Sequence, residues 1–260
     1  MEAQRPCSAR MPGFGKTLLN EAASNAVFGA STGLAKLVSV YGFITLRGLT
    51  LSDDDHEDLL RRLGTPMTTP GEPLVPGSDC LNPVSNVGRK TAPRSVFHTD
   101  SSYLHEPPGF TVLRSVTCPA SGGDTLFTDQ RYAFTSLPKP CRTVLLGRTL
   151  AHQVTGVPGQ AQSTRQPLIR RHPVTDAYSL YMTTPERLSG LDGCTDEQSR
   201  RIFHVLYRWS QRRIYRHSWQ PGDVVIWDNR ITMHRADHSG VSGDRVLHRG
   251  MVRGEVPIMG

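Results

Sequence analysis

The side chains of this sequence best suited to chemistry are two histidines and one aspartate. His98 and Asp100 are separated by one residue, and His234 follows far downstream. Two imidazoles and one carboxylate can occupy one face of an octahedral metal ion and leave three positions open, which is the ligand set typical of non-haem Fe(II) oxygenases. Alternate side chains of a β-strand point the same way, so the spacing predicts that His98 and Asp100 face a common centre. A distant histidine would then complete the site.

A second His-x-Asp pattern, His56 to Asp58, shows that the spacing alone is not specific. It lies in residues 54–64, which begin with acidic residues and end with a glycine, as is typical of a short amphipathic helix. Residues i and i+2 of a helix do not face each other, so this pair is not expected to share a metal ion. We therefore predict that His56 lies at a solvated helix start.

Two arginines follow the last of the three candidate ligands. If residues 245–249 form a strand, Arg245 and Arg249 lie on the same face of it. A guanidinium group binds a carboxylate through two parallel hydrogen bonds, which an ammonium group does not match. The same spacing also fits two exposed arginines on an edge strand, so this pattern alone leaves both interpretations open.

The elements that must position these residues are short strands and helices separated by turns. Residues 221–223 (Pro-Gly-Asp) lie between two strand-like segments, 213–218 and 224–228, and predict a β-hairpin. Residues 64–96 are rich in Pro, Gly, Ser and Thr and predict a long loop that serves as a lid or substrate wall. Many short strands with turns between them indicate a mainly β jelly-roll barrel with flanking helices. Helices are predicted at residues 30–40, 54–64, 129–137 and 140–146, and strands at residues 41–49, 110–116, 148–154, 167–171 and 177–182.

Length and composition indicate one domain. At 260 residues and 37% hydrophobic content, we predict a single domain over residues 1–260, with residues 1–15 as a loose N-terminal arm. No segment approaches the roughly 18 apolar residues of a membrane span, and the N-terminus lacks the apolar core of a signal peptide. The cysteines show neither C-x-x-C pairing nor zinc-like spacing, which predicts free thiols in a reducing cytoplasm. They are Cys7, Cys80, Cys118, Cys141 and Cys194.

The net charge of +7 raises the question of an acidic partner. The densest group of arginines lies in and after a predicted helix that begins with a capping box at residues 195–198. Few aromatic residues are interleaved with them, so nucleic-acid binding is not expected. The group, here called the basic helix face, is most simply a solvated surface, and an acidic carrier protein or an anionic substrate are the other interpretations. It consists of Arg200, Arg201, Arg208, Arg212, Arg213 and Arg216.

Five motifs taken together resemble the taurine dioxygenase and 2,4-dichlorophenoxyacetate dioxygenase family of Fe(II)/2-oxoglutarate oxygenases. The resemblance extends from about Tyr41 to Glu255. The segments at 85–87 and 100–102 look more like the phenoxyacetate branch than the taurine branch. The motifs are aromatic-His-Thr-Asp-Ser-Ser-aromatic at 97–103, Gly-Gly-Asp-Thr at 122–125, Tyr-Arg-His-x-Trp-x-x-Gly-Asp at 215–223, Trp-Asp-Asn-Arg-x-x-x-His at 227–234 and Arg-x-x-x-Arg at 245–249.

The resemblance implies a double-stranded β-helix (jelly-roll) barrel with helices packed outside. It also implies Fe(II), O₂ and 2-oxoglutarate as cosubstrate. By their positions in the motifs, His98, Asp100 and His234 match the iron ligands. Thr125 and Arg245 match the two residues that hold the distal carboxylate of 2-oxoglutarate.

The resemblance also indicates substrate residues. Arg249 matches a position that often meets an anionic group of the substrate, and the backbone N–H of Ser101 is a candidate for the same anion. Phe97 and Tyr103 are candidates for walls of the substrate site, although both also fit a core position. The taurine enzymes place a histidine upstream of the metal motif, and residues 57–97 contain none, so taurine itself is not expected.

The implied reaction converts 2-oxoglutarate to succinate and CO₂ while a C–H bond of a small organic anion is hydroxylated or otherwise oxidised. Asp100 fills the position that related halogenases leave free for halide, so halogenation is not expected. Asp228, near His234 in sequence, is a candidate acceptor for the second N–H of an imidazole ligand. The expected partner is the small-molecule substrate. The sequence is also compatible with a homo-oligomer.

Other interpretations fit parts of the pattern. The same oxygenase chemistry on a carrier-tethered or macromolecular substrate would use the basic helix face for docking. A zinc hydrolase also uses two histidines and one carboxylate, but it would not need Thr125 and paired arginines for a carboxylic acid. A non-catalytic barrel that binds an anion is the third interpretation, and turnover of 2-oxoglutarate would exclude it.

Overall fold

The structure is a computed structural model, and it describes residues 13–29, 33–69, 71–88, 95–154 and 162–260. Most of the N-terminal arm that the sequence predicts lies outside these residues. Within them, short strands and several helices alternate, which confirms the prediction of a mainly β fold with helices. None of the described helices combines the length and apolar character that a membrane crossing requires.

The described elements are short, and only β5 and β15 among the strands have more than five residues. The strands are β1 (Lys16–Leu19), β2 (Phe43–Arg47), β3 (Pro66–Met67), β4 (Leu81–Ser85), β5 (Pro108–Thr117), β6 (Thr125–Asp129), β7 (Thr149–Gln153), β8 (Ser163–Pro167), β9 (Ile169–Arg171), β10 (Tyr178–Leu180), β11 (Leu188–Ser189), β12 (Tyr215–His217), β13 (Val224–Asp228), β14 (Thr232–Ala236), β15 (Val246–Arg253) and β16 (Ile258–Met259). The helices are α1 (Asn20–Phe28), α2 (Gly33–Tyr41), α3 (Asp53–Leu63), α4 (Gln130–Thr135), α5 (Lys139–Leu145) and α6 (Asp196–Ser210), with a 3₁₀ turn at Pro185–Arg187.

The main sheet has seven strands in the order β1-β2-β13-β5-β15-β3, and β4 also pairs with β15. Strand β13 lies between β2 and β5, with Ile226 opposite both Ile44 and Val112. Every residue of β13 is buried, which explains its nearly continuous apolar sequence. These three side chains belong to the core cluster that α1, α2 and α3 cover from outside.

The remaining sheets have three strands each, in the orders β12-β6-β14, β10-β9-β16 and β11-β7-β8. Phe127 of β6 stacks on Phe43 of β2 with ring centroids 4.5 Å apart, and it meets the edge of Trp227 of β13 at 5.6 Å. This buried aromatic cluster joins the β12-β6-β14 sheet to the main sheet. No sheet closes on itself in the described part of the chain, so the barrel prediction is not confirmed by the strand pairing.

Residues 221–223 form the predicted turn, but the predicted hairpin is wrong. Strand β12 before the turn pairs with β6, whereas β13 after it pairs with β2 and β5. The turn is held to the main sheet because the buried Asp223 carboxylate accepts hydrogen bonds from Arg47, at 2.8 Å, and from the Gln220 N–H, at 2.9 Å. A Cβ at Gly222 would approach the Leu49 carbonyl oxygen to 2.2 Å. The chain therefore changes sheets at this turn.

Helix α3 shows a second difference from the sequence prediction. The helix begins with a capping box in which Ser52 Oγ accepts the Asp55 N–H, at 3.1 Å, and the Asp55 carboxylate accepts the Ser52 N–H, at 2.8 Å. His56, Leu59 and Leu60 are its buried residues, and the helix packs on β15 and β5. The spacing of the three residues places His56 on the apolar stripe, so its predicted exposure is wrong. Burial lowers the pKa of His56 to about 3.

Candidate metal centre and cosubstrate pocket

Backbone pairing brings the two candidate histidine ligands together. The His98 N–H donates to the His234 carbonyl at 3.0 Å, and the His234 N–H donates to the His98 carbonyl at 2.9 Å. This exchange makes the two residues an antiparallel pair, and their ring centroids lie 4.4 Å apart. His98 forms an isolated bridge and Asp100 begins a turn, so the regular strand predicted for this motif is absent. The predicted convergence of His98 and Asp100 is nevertheless present.

Asp100 supplies the third candidate ligand. Its Oδ1 lies 3.6 Å from His98 Nε2 and 3.7 Å from His234 Nε2. The three candidate ligand atoms lie within 4.8 Å of one another, and this is the only such group of His, Cys, Asp or Glu that the described residues contain. The His98 side chain is 32% exposed while those of Asp100 and His234 are 5% and 10% exposed. The site is therefore closed on the protein side and open on the side of His98.

The donor atoms of the three side chains suit a divalent cation. His98 Nδ1 lies 2.9 Å from the Val96 carbonyl, to which it donates, so Nε2 is the ring nitrogen that faces Asp100. Burial lowers the pKa of His234 to about 3, so this imidazole is neutral at neutral pH. Burial alone would raise the pKa of Asp100, but the neighbouring His234 and His98 outweigh it and hold the pKa well below the usual carboxyl range. Two imidazoles and one carboxylate are a ligand set that fits Fe(II).

The sequence suggested Asp228 as the hydrogen-bond acceptor for an imidazole ligand, and this prediction is wrong. Asp228 is fully buried and accepts a hydrogen bond from His172 Nε2 at 2.9 Å and one from the Ser39 hydroxyl at 3.0 Å. Arg230 contacts the same carboxylate at 3.2 Å. Asp228 therefore belongs to a separate polar network behind the site. His234 Nδ1 is buried and has no hydrogen-bond partner among the described residues.

A cavity of about 290 Å³ adjoins the candidate metal ligands. Three residues that the sequence indicated for substrate binding, Ser101, Tyr103 and Arg249, line it. Phe97 does not line it: its ring is 2% exposed and packs in the core cluster beneath α6, so the wall predicted for it is wrong and the core interpretation is right. The cavity is lined by Thr69, Gly71, Glu72, His98, Asp100, Ser101, Tyr103, Val154, Arg187 and Arg249.

Glu72, which belongs to none of the sequence motifs, forms an ion pair with Arg249 Nη2 at the cavity. The Arg249 side chain is 19% exposed and that of Glu72 is 38% exposed. Glu72 lies within residues 64–96, where the sequence predicted one long loop. The described part of this segment contains β3 and β4, which pair with β15, so the prediction of a continuous loop is wrong. Part of the segment does line the cavity, as predicted for a substrate wall. The only signal for Glu72 in the sequence is an acidic residue in a segment otherwise rich in Pro, Gly and Thr.

Thr125 and Arg245, the two residues indicated for 2-oxoglutarate, both contact Trp219. The Trp219 indole N–H donates to Thr125 Oγ1 at 3.1 Å, and the Arg245 guanidinium carbon lies 5.9 Å from the Trp219 ring centroid. On β6, Thr125 is two residues from Phe127, which pairs with His234, so Thr125 is about 7 Å along the strand from that pair. Neither Thr125 nor Arg245 is among the residues that line the cavity beside Arg249.

Arg245 is buried without a carboxylate partner. Its Nε donates to the Gly123 carbonyl at 2.8 Å, and it forms no ion pair with a described residue. Burial lowers the pKa of Arg245 to about 10, so it remains a cation at neutral pH. Arg245 precedes β15, and a bulge between Val246 and Leu247 breaks the alternation predicted for residues 245–249. A buried guanidinium without a carboxylate partner among the described residues suits a carboxylate ligand.

Two imidazoles, a carboxylate and a buried arginine in a mainly β chain are the features of non-haem metal oxygenases that use an organic-acid cosubstrate. Residues 21–251 match the family described as taurine catabolism dioxygenase TauD, TfdA family. The chain belongs to this family, as its motifs predicted, and it is a non-haem Fe(II) dioxygenase that depends on 2-oxoglutarate and O₂.

Individual relatives agree with this assignment. The chain is 29% identical over 238 residues to an α-ketoglutarate-dependent sulfate ester dioxygenase of Pseudomonas putida, a match that covers 83% of this chain and 78% of the relative. It is 30% identical over 169 residues to an α-ketoglutarate-dependent 2,4-dichlorophenoxyacetate dioxygenase of Cupriavidus pinatubonensis, with 59% and 58% covered. Its fold is similar to the crystal structure of a taurine dioxygenase from Burkholderia xenovorans, with a TM-score of 0.81, 27% identity and 95% and 90% of the two chains covered.

Proposed function

We propose that the protein oxidises a C–H bond of a small organic anion, with His98, Asp100 and His234 holding the Fe(II) ion. The observation that supports this assignment best is the convergence of two imidazole rings and one carboxylate beside a cavity. Fe(II), when bound, supplies the redox chemistry that couples O₂ to oxidation of the substrate. The residues around it bind and orient the two organic reactants.

The distal carboxylate of 2-oxoglutarate is proposed to bind Thr125 and Arg245. The Trp219 indole is a donor only, so it occupies an acceptor position of Thr125 Oγ1 and leaves the hydroxyl proton free for an anion. The Arg245 Nη groups make no hydrogen bond with a described residue, so they are available for a second, charged contact. Together the two residues offer the paired donors that a carboxylate accepts.

The substrate anion is proposed to bind Arg249 in the cavity beside the metal ligands. A carboxylate, that of Glu72, already contacts this guanidinium, which supports the idea that Arg249 accepts an anion there. Glu72 is the more exposed partner and lies on a loop, so an incoming anion would displace it at low cost. The named relatives act on sulfate esters and on a phenoxyacetate, both of which are small organic anions.

The basic helix face favours a free substrate over a carrier-tethered one. Arg201 pairs with Glu197, and Arg216 pairs with Asp124 and Asp237, so part of the positive charge is neutralised within the chain. The guanidinium of Arg212 lies 3.8 Å from the Trp209 ring centroid. These contacts are those of a solvated helix surface, which supports a small-molecule substrate.

Two broader proposals accompany this function. The main sheet and the β12-β6-β14 sheet, joined by the aromatic cluster, would be the two halves of a double-stranded β-helix. The described cysteines, Cys80, Cys118, Cys141 and Cys194, are all unpaired, which supports a reducing compartment such as the cytoplasm.

The test is succinate release by the purified protein with Fe(II), 2-oxoglutarate and a panel of carboxylates, sulfonates and alkyl sulfates. His234→Ala should abolish succinate formation because one metal ligand is lost. His204→Ala is the matched control, since this histidine is exposed on α6. Normal turnover in His234→Ala would refute the metal assignment, and equal turnover of a free acid and its amide would remove Arg249 from substrate recognition.

A further inference from the structure

We propose that Thr111, Asn229 and Trp227 form a relay of hydrogen bonds that positions Asp100 as a one-oxygen metal ligand; this rests on the proposed metal site. The Thr111 hydroxyl lies 2.8 Å from Asp100 Oδ2. Asn229 Nδ2 lies 2.8 Å from Thr111 Oγ1, and Trp227 Nε1 lies 3.1 Å from Asn229 Oδ1. Thr111 and Trp227 are 0% exposed, Asn229 is 1% and Asp100 is 4%, so water does not compete for these bonds.

The chemistry of Trp227 sets the direction of the whole relay. An indole N–H can only donate, so the atom of Asn229 that faces it must be the carbonyl oxygen. The amide NH₂ of Asn229 then faces Thr111 and donates to its hydroxyl oxygen. The Thr111 proton is left to point at Asp100 Oδ2, which accepts it. With Asp100 ionised, as a metal ligand must be, no other arrangement of protons satisfies the three bonds.

The relay leaves the two oxygens of Asp100 in different roles. Oδ2 is held by Thr111, whereas Oδ1 lies 3.6 Å and 3.7 Å from the Nε2 atoms of His98 and His234. Oδ1 is therefore the oxygen that faces both imidazoles and is free to bind a metal ion there. A carboxylate that binds through one oxygen occupies one coordination position and leaves three for 2-oxoglutarate and O₂.

Strand pairing and buried polar contacts hold the residues of the relay in place. Thr111 on β5 and Trp227 on β13 are paired residues of neighbouring strands in the main sheet. The Asn229 N–H donates to the Gly109 carbonyl at 2.9 Å, and the adjacent Asp228 is held by His172 and Arg230. The Asp100 carboxylate is thus oriented by strands that are anchored independently of the loop it lies on.

The test compares Thr111→Val, which removes the hydroxyl at nearly constant shape, with Thr111→Ser, which keeps it. Thr45→Val is the matched control, since Thr45 is a buried threonine on β2 that bonds His217 and does not touch the site. Mn(II) affinity is measured without substrate or turnover by electron paramagnetic resonance, and thermal unfolding is recorded for each variant. Thr111→Val should bind Mn(II) about 10- to 100-fold more weakly, while Thr111→Ser and Thr45→Val stay close to the unaltered protein.

A second measurement follows 2-oxoglutarate binding to the Mn(II)-saturated variants. If Asp100 turns and binds through both oxygens, Thr111→Val should weaken 2-oxoglutarate binding further, because one open position is taken. Unaltered Mn(II) affinity in a Thr111→Val protein that has lost only thermal stability would overturn the relay and leave a structural network. Failure of the unaltered protein to bind Mn(II), or retention of binding in His234→Ala, would instead overturn the proposed metal site.

Discussion

Two arginines near the site differ in their partners. Arg245 is buried without a carboxylate among the described residues, whereas Arg249 contacts Glu72. A buried cation without a counterion is costly, and a bound anion offsets that cost. Glu72 instead neutralises Arg249 until another anion replaces it. The two positions should therefore respond differently to substitution.

Arg245→Ala should weaken 2-oxoglutarate binding by about 2–5 kcal/mol, because a buried charged hydrogen-bonding partner of the carboxylate is lost. Calorimetric titration of the Mn(II)-loaded protein with 2-oxoglutarate measures the change. Arg201→Ala is the control, since its side chain is 78% exposed and pairs on the surface with Glu197. An unchanged affinity in Arg245→Ala would exclude this arginine from the cosubstrate site.

Glu72→Gln should strengthen the binding of phenoxyacetate or hexyl sulfate by up to about fivefold, because a partly exposed ion pair is worth about 1 kcal/mol or less and no longer competes. Arg249→Ala should weaken the same binding. Glu106→Gln serves as the control, since Glu106 pairs with Arg253 away from the cavity. Equal affinities in Glu72→Gln and the unaltered protein would show that Glu72 does not compete for Arg249.

Among the elements, helix α3 carries His56 at a buried position on its apolar face. His56 is 0% exposed, and its pKa of about 3 means that the folded protein excludes a proton there. The unfolded chain binds that proton below pH 6.5 or so. His56 thus lowers the free energy of unfolding progressively as the pH falls from about 6.5 to about 3. His152 and His234, also buried with pKa values of about 3, act in the same direction.

His56→Leu should remove one of these contributions. Relative to the unaltered protein, the free energy of unfolding of the variant should improve by up to about 1.4 kcal/mol for each pH unit between pH 6 and pH 4. Urea unfolding at several pH values measures this, and the pH dependence is independent of any constant packing difference. His204→Leu, at an exposed position of α6, should run parallel to the unaltered protein. A parallel curve for His56→Leu as well would show that His56 takes up a proton as readily in the folded protein as in the unfolded chain.

At the scale of the whole molecule, the site joins both main parts of the fold. His234 lies on β14 of the smaller β12-β6-β14 sheet, while Thr111 and Arg249 lie on β5 and β15 of the main sheet. The Phe43, Phe127 and Trp227 rings hold the two sheets together beneath the site. Ligands that bind at this junction should therefore stabilise the complete fold.

Mn(II) with 2-oxoglutarate, each at about 100 times its dissociation constant, should stabilise the protein by at least about 2.7 kcal/mol and raise the midpoint of thermal unfolding. Calorimetry with and without the ligands measures the shift, and a chelator should reverse it. His234→Ala should show no shift, since the metal is not bound. A full shift in that variant would place the stabilising metal elsewhere.

Local features of the fold and the types of the site residues were predictable from the sequence. The capping boxes of α3 and α6 involve neighbouring residues, so their chemistry is visible without tertiary contacts. The five motifs taken together, which include His98, Asp100 and His234, resemble the enzyme family closely enough to imply the metal as well. Local order and the chemistry of donor atoms are properties of the chain itself.

Other features depend on contacts between distant segments, which local periodicity does not encode. The backbone pairing of His98 with His234, the separation of β12 from β13 and the burial of His56 all follow from which strand or helix packs against which. The same holds for the Glu72 contact with Arg249 and for the relay from Trp227 to Asp100. Burial and pairing are decided by the partner surface, and only the folded chain supplies that surface.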